Sequence, residues 1–283
     1  MARVGVLVFL VTLAPTAARA ASATSKVSVV ASFYPLAWAA QHVGGERVSI
    51  RNLTPAGAEP HDLELTPDQI DDVLDADVVF ELGQGFQPAV EQAAEQRDGA
   101  TVRLLSRTTN DPHVWLDPVR MAAIVRIVQR EVIRADPKGR ILYARNAGRT
   151  LDELDALDMR YREGLTDCER RVFVTAHEAF GRLARRYGLR QQGAAGISPD
   201  AEPDAKRIAQ LVDLVKRNGV TTVFTEELVS PRIAQTLARE AGVHTETLNP
   251  LEGLTDRELR QGDDYATVMD SNLAKLRQAL GCR

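Results

Sequence analysis

Three histidines, His61, His113 and His177, sit in loop-like contexts next to predicted strands or helices: PAGAEPHDLELTPDQ, NDPHVWLDP and VFVTAHEAFG. The chain has five histidines, so three in such settings concentrate a signal for a metal. Neutral imidazole is the commonest protein ligand for late first-row metals. Three imidazoles with one carboxylate make a closed tetrahedral site for Zn2+. Pro60 stiffens the turn before His61 and biases Glu59 away from helical geometry. His113 stands beside Val114-Trp115, where partial burial lowers its pKa and favours the neutral, metal-binding form. His177 ends the apolar run Val172–Thr175, and open α/β sheets bind ligands outside the carboxyl ends of their strands. Taken singly, His61 reads as a surface loop residue and His113 as a core histidine; the set of three is what points to a metal. His42, at the end of a predicted helix, complements the helix dipole, and His244 alternates within a predicted strand.

A carboxylate must complete the set. Asp263, in Gln261-Gly262-Asp263-Asp264-Tyr265, precedes a final amphipathic helix, and spacing alone does not separate a ligand there from a helix cap at Asp263 or Asp264. Cys168 and Cys282, the two cysteines, have no close Cys or His companion, which argues against a cysteine metal site. In an oxidising compartment such a pair reads as one disulfide.

The elements that must position these residues alternate strand and helix twice over. Predicted strands are Val27–Ser32, Arg47–Asn52, Asp77–Leu82 and Thr101–Leu105, then Arg171–Ala176, Leu189–Gly193, Val220–Thr225 and Val243–Leu248. Helical patterns lie between them near Pro35–His42, Pro67–Leu74 and Gln87–Gln96, then Glu178–Tyr187, Asp204–Asn218 and Arg232–Ala241. Strands separated by single helices predict parallel sheets in two α/β lobes. Thr66-Pro67, Asp117-Pro118, Asp136-Pro137 and Ser230-Pro231 each place a capping side chain before a proline, and Gln69 completes a capping box with Thr66. Between the lobes, Leu142, Leu151, Leu154, Leu157 and Tyr161 recur at helical steps and predict one long helix over 137–164. Lobes joined in this way resist wide hinge motion, so small rearrangements on binding are expected. The expected division is a signal peptide at 1–20, an N-terminal lobe at 21–136, the connecting helix, and a C-terminal lobe at 165–283.

Residues 1–20 carry Arg3, the apolar run Val4–Leu13 and the small-residue site Ala18-Arg19-Ala20, which together read as an export signal. The apolar run is too short for a permanent membrane span. No cysteine lies near the cleavage point, so a soluble exported protein without a lipid anchor is expected, here in the periplasm. The net charge is −4, and no basic block suggests nucleic acid.

Several long segments resemble one family in order and spacing: SFYPLAWAAQHVGGERVSIRNLTPAGAEPHDLELTPDQI, DPHVWLDP, VTAHEAFGRLARRYGL and YATVMDSNLAKLRQAL. From about Val27 to Leu280 the chain resembles the metal-specific solute-binding proteins of zinc and manganese ABC importers. That resemblance implies two lobes clamping one metal between them, with ligands His61 and His113 from the first lobe and His177 and Asp263 from the second. It also implies a membrane permease as partner, and the chain is expected to act as a monomer. Manganese members carry Glu where His177 stands, so the resemblance implies Zn2+ as cargo, in keeping with the softer donor set. The His-rich loop that many zinc members insert before the second ligand is absent. A manganese carrier is the alternative within the family, and a secreted zinc hydrolase is the alternative outside it. The hydrolase needs an open coordination position and a general base, and the chain has no HExxH helix or nucleophile elbow. Nothing in the sequence favours an adhesin.

Overall fold

The computed structural model describes residues 1–2, 26–105, 111–201 and 203–283. The expected export signal and most of the loop before His113 lie outside the described residues. Two four-stranded sheets, all parallel, form the frame. The first holds β1 (Val27–Ala31), β2 (Val48–Asn52), β3 (Val78–Glu81) and β4 (Ala100–Arg103) in the order β2-β1-β3-β4. The second holds β5 (Val172–Thr175), β6 (Arg190–Gly193), β7 (Thr222–Thr225) and β8 (His244–Thr247) in the order β6-β5-β7-β8. The central strands β3 and β5 are buried along their whole length, which is why they read as unbroken apolar runs rather than alternating ones. The fold is the two-lobe α/β arrangement predicted, with every expected strand present.

Helices α1 (Tyr34–Gly44), α2 (Pro67–Asp75) and α3 (Pro88–Ala94) connect the first sheet. Helices α4 (Pro118–Ala135) and α5 (Arg140–Gly164) follow it and pack along each other. The second sheet is connected by α6 (Gly181–Arg186), α7 (Ala205–Arg217) and α8 (Arg232–Ala241), and is followed by α9 (Asp256–Gln261) and α10 (Tyr265–Leu280). Thr66 caps α2 in the predicted box with Gln69, and Asp117 caps α4 by accepting from the Val119 N–H at 3.0 Å.

Two expected caps are not used. Asp136 precedes a 3-10 turn at Pro137–Gly139 rather than an α-helix, and its carboxylate takes the Tyr143 hydroxyl at 2.8 Å and the Arg47 guanidinium at 2.7 Å. Pro231 rather than Ser230 stands at the start of α8, without a side-chain cap. The long helix α5 buries Tyr143, Ala147, Thr150, Leu154, Leu157 and Tyr161, steps of three and four that define its inner face. Leu142 and Leu151, expected on that face, are only partly buried.

Helix α5 packs on α1 of the first lobe and α10 of the second. Asn146 donates to the Val43 carbonyl at 3.2 Å, and the Tyr161 hydroxyl donates to the Met269 carbonyl at 2.7 Å. One continuous apolar core runs through both lobes, from Phe33 and Trp115 through Tyr143 and Tyr161 to Phe173 and Tyr265. Cys168 and Cys282 form the expected disulfide, and the backbone following α10 pairs beside it, with Arg283 N–H on the Asp167 carbonyl at 2.9 Å. Among the described residues no helix is long and apolar enough to cross a membrane.

Candidate metal centre

His61, His113 and His177 converge in the cleft between the two sheets. With Glu252 they offer four ligand atoms that all lie within 4.8 Å of one another. Each comes from a loop at the carboxyl end of a strand or from the turn before a helix, where backbone leaves the sheet and side chains face the cleft.

His61 lies at the end of the loop between β2 and α2. Gly57 takes a left-handed turn there (φ +76°), and its N–H donates to the Leu254 carbonyl of the opposite lobe at 3.0 Å. The His61 ring packs edge-on against Phe86, and the His61 backbone N–H donates to Glu59 Oε1 at 3.1 Å. His113, fully buried, donates from its backbone N–H to Asp111 Oδ1, which also lies 3.1 Å from ring Nδ1. His177 follows β5, and Glu226, just past β7, accepts from its backbone N–H at 3.0 Å and stands 2.5 Å from Nδ1.

Glu252 is fully buried on the loop after β8, and that loop is pinned from several sides. Asn249 accepts from the Leu251 N–H at 2.7 Å, while Asn272 of α10 and Glu258 of α9 fix Asn249 itself. Leu251 is held at φ +55°, a conformation costly for a bulky side chain and sustained only by such over-determination. Trp115 reaches across from the first lobe, its indole N–H donating to the Pro250 carbonyl at 2.8 Å.

The distances fit a four-coordinate metal. Glu252 Oε1 lies 3.1 Å from His113 Nε2 and 3.5 Å from both His61 Nε2 and His177 Nε2, and the His113 and His177 imidazoles stand 3.4 Å apart at Nε2. In a tetrahedron with bonds of ~2.0–2.1 Å to zinc, neighbouring donors are about 3.3–3.4 Å apart. With Nδ1–H of His113 and His177 committed to Asp111 and Glu226, their Nε2 lone pairs face the Glu252 carboxylate. When both imidazoles are neutral these acceptors face one another in a buried site, and a cation bound between them would satisfy all three. His61 Nε2 and Glu252 Oε2 have no hydrogen-bond partner among the described residues, although both are buried.

The electrostatics agree. Burial opposes charge on His177, but the Glu226 carboxylate and then Glu252 outweigh it and push its pKa up to about 11. Burial likewise opposes charge on His113, yet its bonds to Asp111 and Glu252 raise its pKa. Burial would raise Glu252, but the three histidines hold its carboxyl well below the usual range. Glu59 goes the other way: burial, then the charge of Glu252, pushes it up to about 8. It stands outside the converging group.

Asp263, expected from the resemblance to supply the carboxylate, is not brought to the histidines. Its N–H closes the end of α9 on the Glu258 carbonyl at 3.0 Å, and its side chain borders a polar cavity shared with Glu246 and Lys275. Asp264, one residue on, is the cap of α10, in a reciprocal box with Thr267. The loop Asn249–Leu254 delivers Glu252 from the carboxyl end of β8, so the strand-end rule that singled out His177 would also have found Glu252 and Glu226. Asp111 and Trp115 were legible only as neighbours of His113. The two bland histidines are where they were expected: His42 ends α1, stacked on Trp38, and His244 is exposed on the edge strand β8.

Fold and site together define a two-lobe α/β metal-binding protein with three imidazoles and a carboxylate at the seam. The family model described as zinc-uptake complex component A, periplasmic, matches residues 29–279, and the chain belongs to that family. It is 35% identical over 282 residues to the zinc-binding lipoprotein AdcA of Streptococcus pneumoniae, covering 90% of this chain and 56% of that protein. It is 33% identical over 290 residues to the high-affinity zinc uptake system protein ZnuA of Bacillus subtilis, covering 94% and 91%. The crystal structure of the Zn(II)-bound ZnuA-like domain of S. pneumoniae AdcA superposes with a TM-score of 0.78 at 35% identity, covering 90% of this chain and 99% of that one. The chain thus spans little more than half the length of the AdcA relatives and nearly all of ZnuA.

Proposed function

We propose that this protein captures Zn2+ outside the cytoplasm and delivers it to the membrane permease of an ABC importer. His61, His113 and His177 bind through Nε2, and Glu252 through its carboxylate. The observation that carries this reading is the convergence of those four ligand atoms, two from each lobe, at spacings suited to zinc. Asp111 and Glu226 orient two of the imidazoles and raise their basicity. Four protein ligands fill a tetrahedron and leave no position for an activated water, which favours a carrier over a hydrolase.

The lobes divide in this reading at 21–136, 137–164 and 165–283, and the protein works as an exported monomer. The apolar core shared by both lobes opposes wide opening, so metal entry is expected to move loops such as Asn249–Leu254 more than whole lobes. The test is metal analysis of protein purified without chelators, followed by zinc uptake through the reconstituted importer. One zinc per chain and uptake that depends on the protein support the reading. Manganese in place of zinc, or uptake indifferent to the protein, would overturn it.

A further inference from the structure

A cleft of about 270 Å3 opens beside α6, and four of the five residues that line it are arginines: Arg120, Arg182, Arg185 and Arg186, with Asp117 the fifth. The four do not come from one lobe. Arg120 stands in the first turn of α4, which packs on α1 and β3 of the first lobe. The other three stand on α6, between β5 and β6 of the second. The cleft therefore lies across the seam, and none of the four residues of the metal centre lines it.

Guanidiniums gathered in this way repel one another unless carboxylates neutralise them. Arg186 is well served, with Asp158 at 2.7 Å and Asp117 at 3.4 Å, and Arg185 reaches Asp111 at 3.0 Å. Arg120 and Arg182 are not. Among the described residues their nearest carboxylates are Asp117 at 3.5 Å and Asp111 at 3.6 Å, and Arg182 donates to the Asp111 backbone carbonyl instead. With Arg162, which shares Asp158, five guanidiniums meet three carboxylates, an excess of two positive charges. Arg182 is also recessed, its side chain only 11% exposed, so little water screens it. Its burial lowers its pKa, and the charges of Arg120 and Arg185 add to that against the opposing pull of Asp111.

A guanidinium is a planar fork of N–H donors that matches the oxygen edge of an oxyanion, two bonds at a time. An excess of two positive charges favours a doubly charged ion over a singly charged one. The geometry points to an oxyanion site in this cleft, taking a small tetrahedral dianion of the sulfate or phosphate class that bridges the lobes, with Arg120 on one side and Arg182 and Arg185 on the other. The bound ion relieves the repulsion across the seam. The site is independent of which metal the chain carries.

Sulfate is the probe, titrated into metal-free, 15N-labelled full-length protein as sodium sulfate replaces sodium chloride at constant ionic strength, so that general screening stays fixed. Two-dimensional NMR of the arginine Nε–H signals reads the binding. The Arg182 and Arg185 signals should move along a saturating curve with a millimolar midpoint. Arg103, paired with Glu81 on the first sheet, should stay still. Arg120→Gln, at a half-exposed position outside the metal centre, should keep the fold and the zinc affinity and weaken sulfate several-fold. Shifts that never saturate, or that move Arg103 equally, would overturn the site. Saturable binding of equal strength in the Arg120→Gln protein would overturn the bridge between the lobes.

Discussion

His113 Nε2 lies 3.1 Å from Glu252 Oε1, although the two residues are 139 positions apart and stand on opposite lobes. The contact is maintained from behind on both sides. Asp111 holds the far face of the imidazole, and Trp115, two residues after His113, bonds the loop that carries Glu252. The contact is therefore part of the seam between the lobes.

Glu226 touches no ligand atom that would face the metal, yet it fixes the orientation of His177 through both the backbone and Nδ1. Loss of such an orienting carboxylate typically costs 10–100-fold in metal affinity. Glu226→Gln is expected to weaken zinc by about that factor. Competition with a zinc indicator measures it; an unchanged affinity would remove Glu226 from the orienting role.

Imidazoles must be neutral to bind a metal, so protons compete with zinc. Because the carboxylates around His113 and His177 raise their pKa, protons already compete near neutral pH, and zinc affinity should fall as pH is lowered from about 8 to about 5. Indicator titrations across that range check this, and a flat profile would mean that the histidines are not ligands.

Asp158 ties the long helix to the second lobe. It accepts from Arg186 at 2.7 Å and from the Tyr187 hydroxyl at 2.8 Å, and Arg162 one turn on adds a third partner. Burial would raise its pKa, but the Arg186 and Arg162 guanidiniums and the Tyr187 hydroxyl hold it down to about 2. The unfolded value is about 3.9, so the folded state gains stability above that pH and loses the gain as pH falls toward 2. Asp158→Asn should cost on the order of 1–2 kcal/mol at neutral pH, with the difference from wild type vanishing near the acid end. Urea unfolding at several pH values reads it directly. A cost that persists undiminished at low pH would point to lost packing instead.

Eight strands and the long helix were legible because buried parallel strands and a one-sided helix leave strong periodic patterns. The caps were less so. Asp136 has the residue type of a cap, but a long-range partner, Arg47, draws its carboxylate away, and no local pattern announces that. For a similar reason it was not legible that a glutamate would stand beside the histidines. Asp263 stands before a helix in a motif dense with acids, whereas Glu252 sits in a loop whose shape depends on Asn249, Asn272 and Trp115, contacts made across the fold. Histidines are scarce enough to betray themselves by placement; carboxylates are not.

The disulfide joins residues 114 apart, binding the end of α10 to the entry of the second sheet. Chain entropy suggests a contribution of up to about 4–5 kcal/mol for a loop of that length. Reduction should lower the melting temperature clearly while zinc affinity changes little, because the bridge contacts none of the four ligands. Melting curves with and without reductant test the first part, and indicator competition in reductant tests the second; a large loss of zinc affinity would contradict the separation.

The central claim is that Glu252, not Asp263, completes the zinc site. Competitive zinc titration of Glu252→Gln and Asp263→Asn, side by side with wild type, tests it most directly. The account predicts that Glu252→Gln weakens zinc by orders of magnitude and that Asp263→Asn binds as wild type does. Weakened binding in Asp263→Asn together with unchanged binding in Glu252→Gln would contradict it.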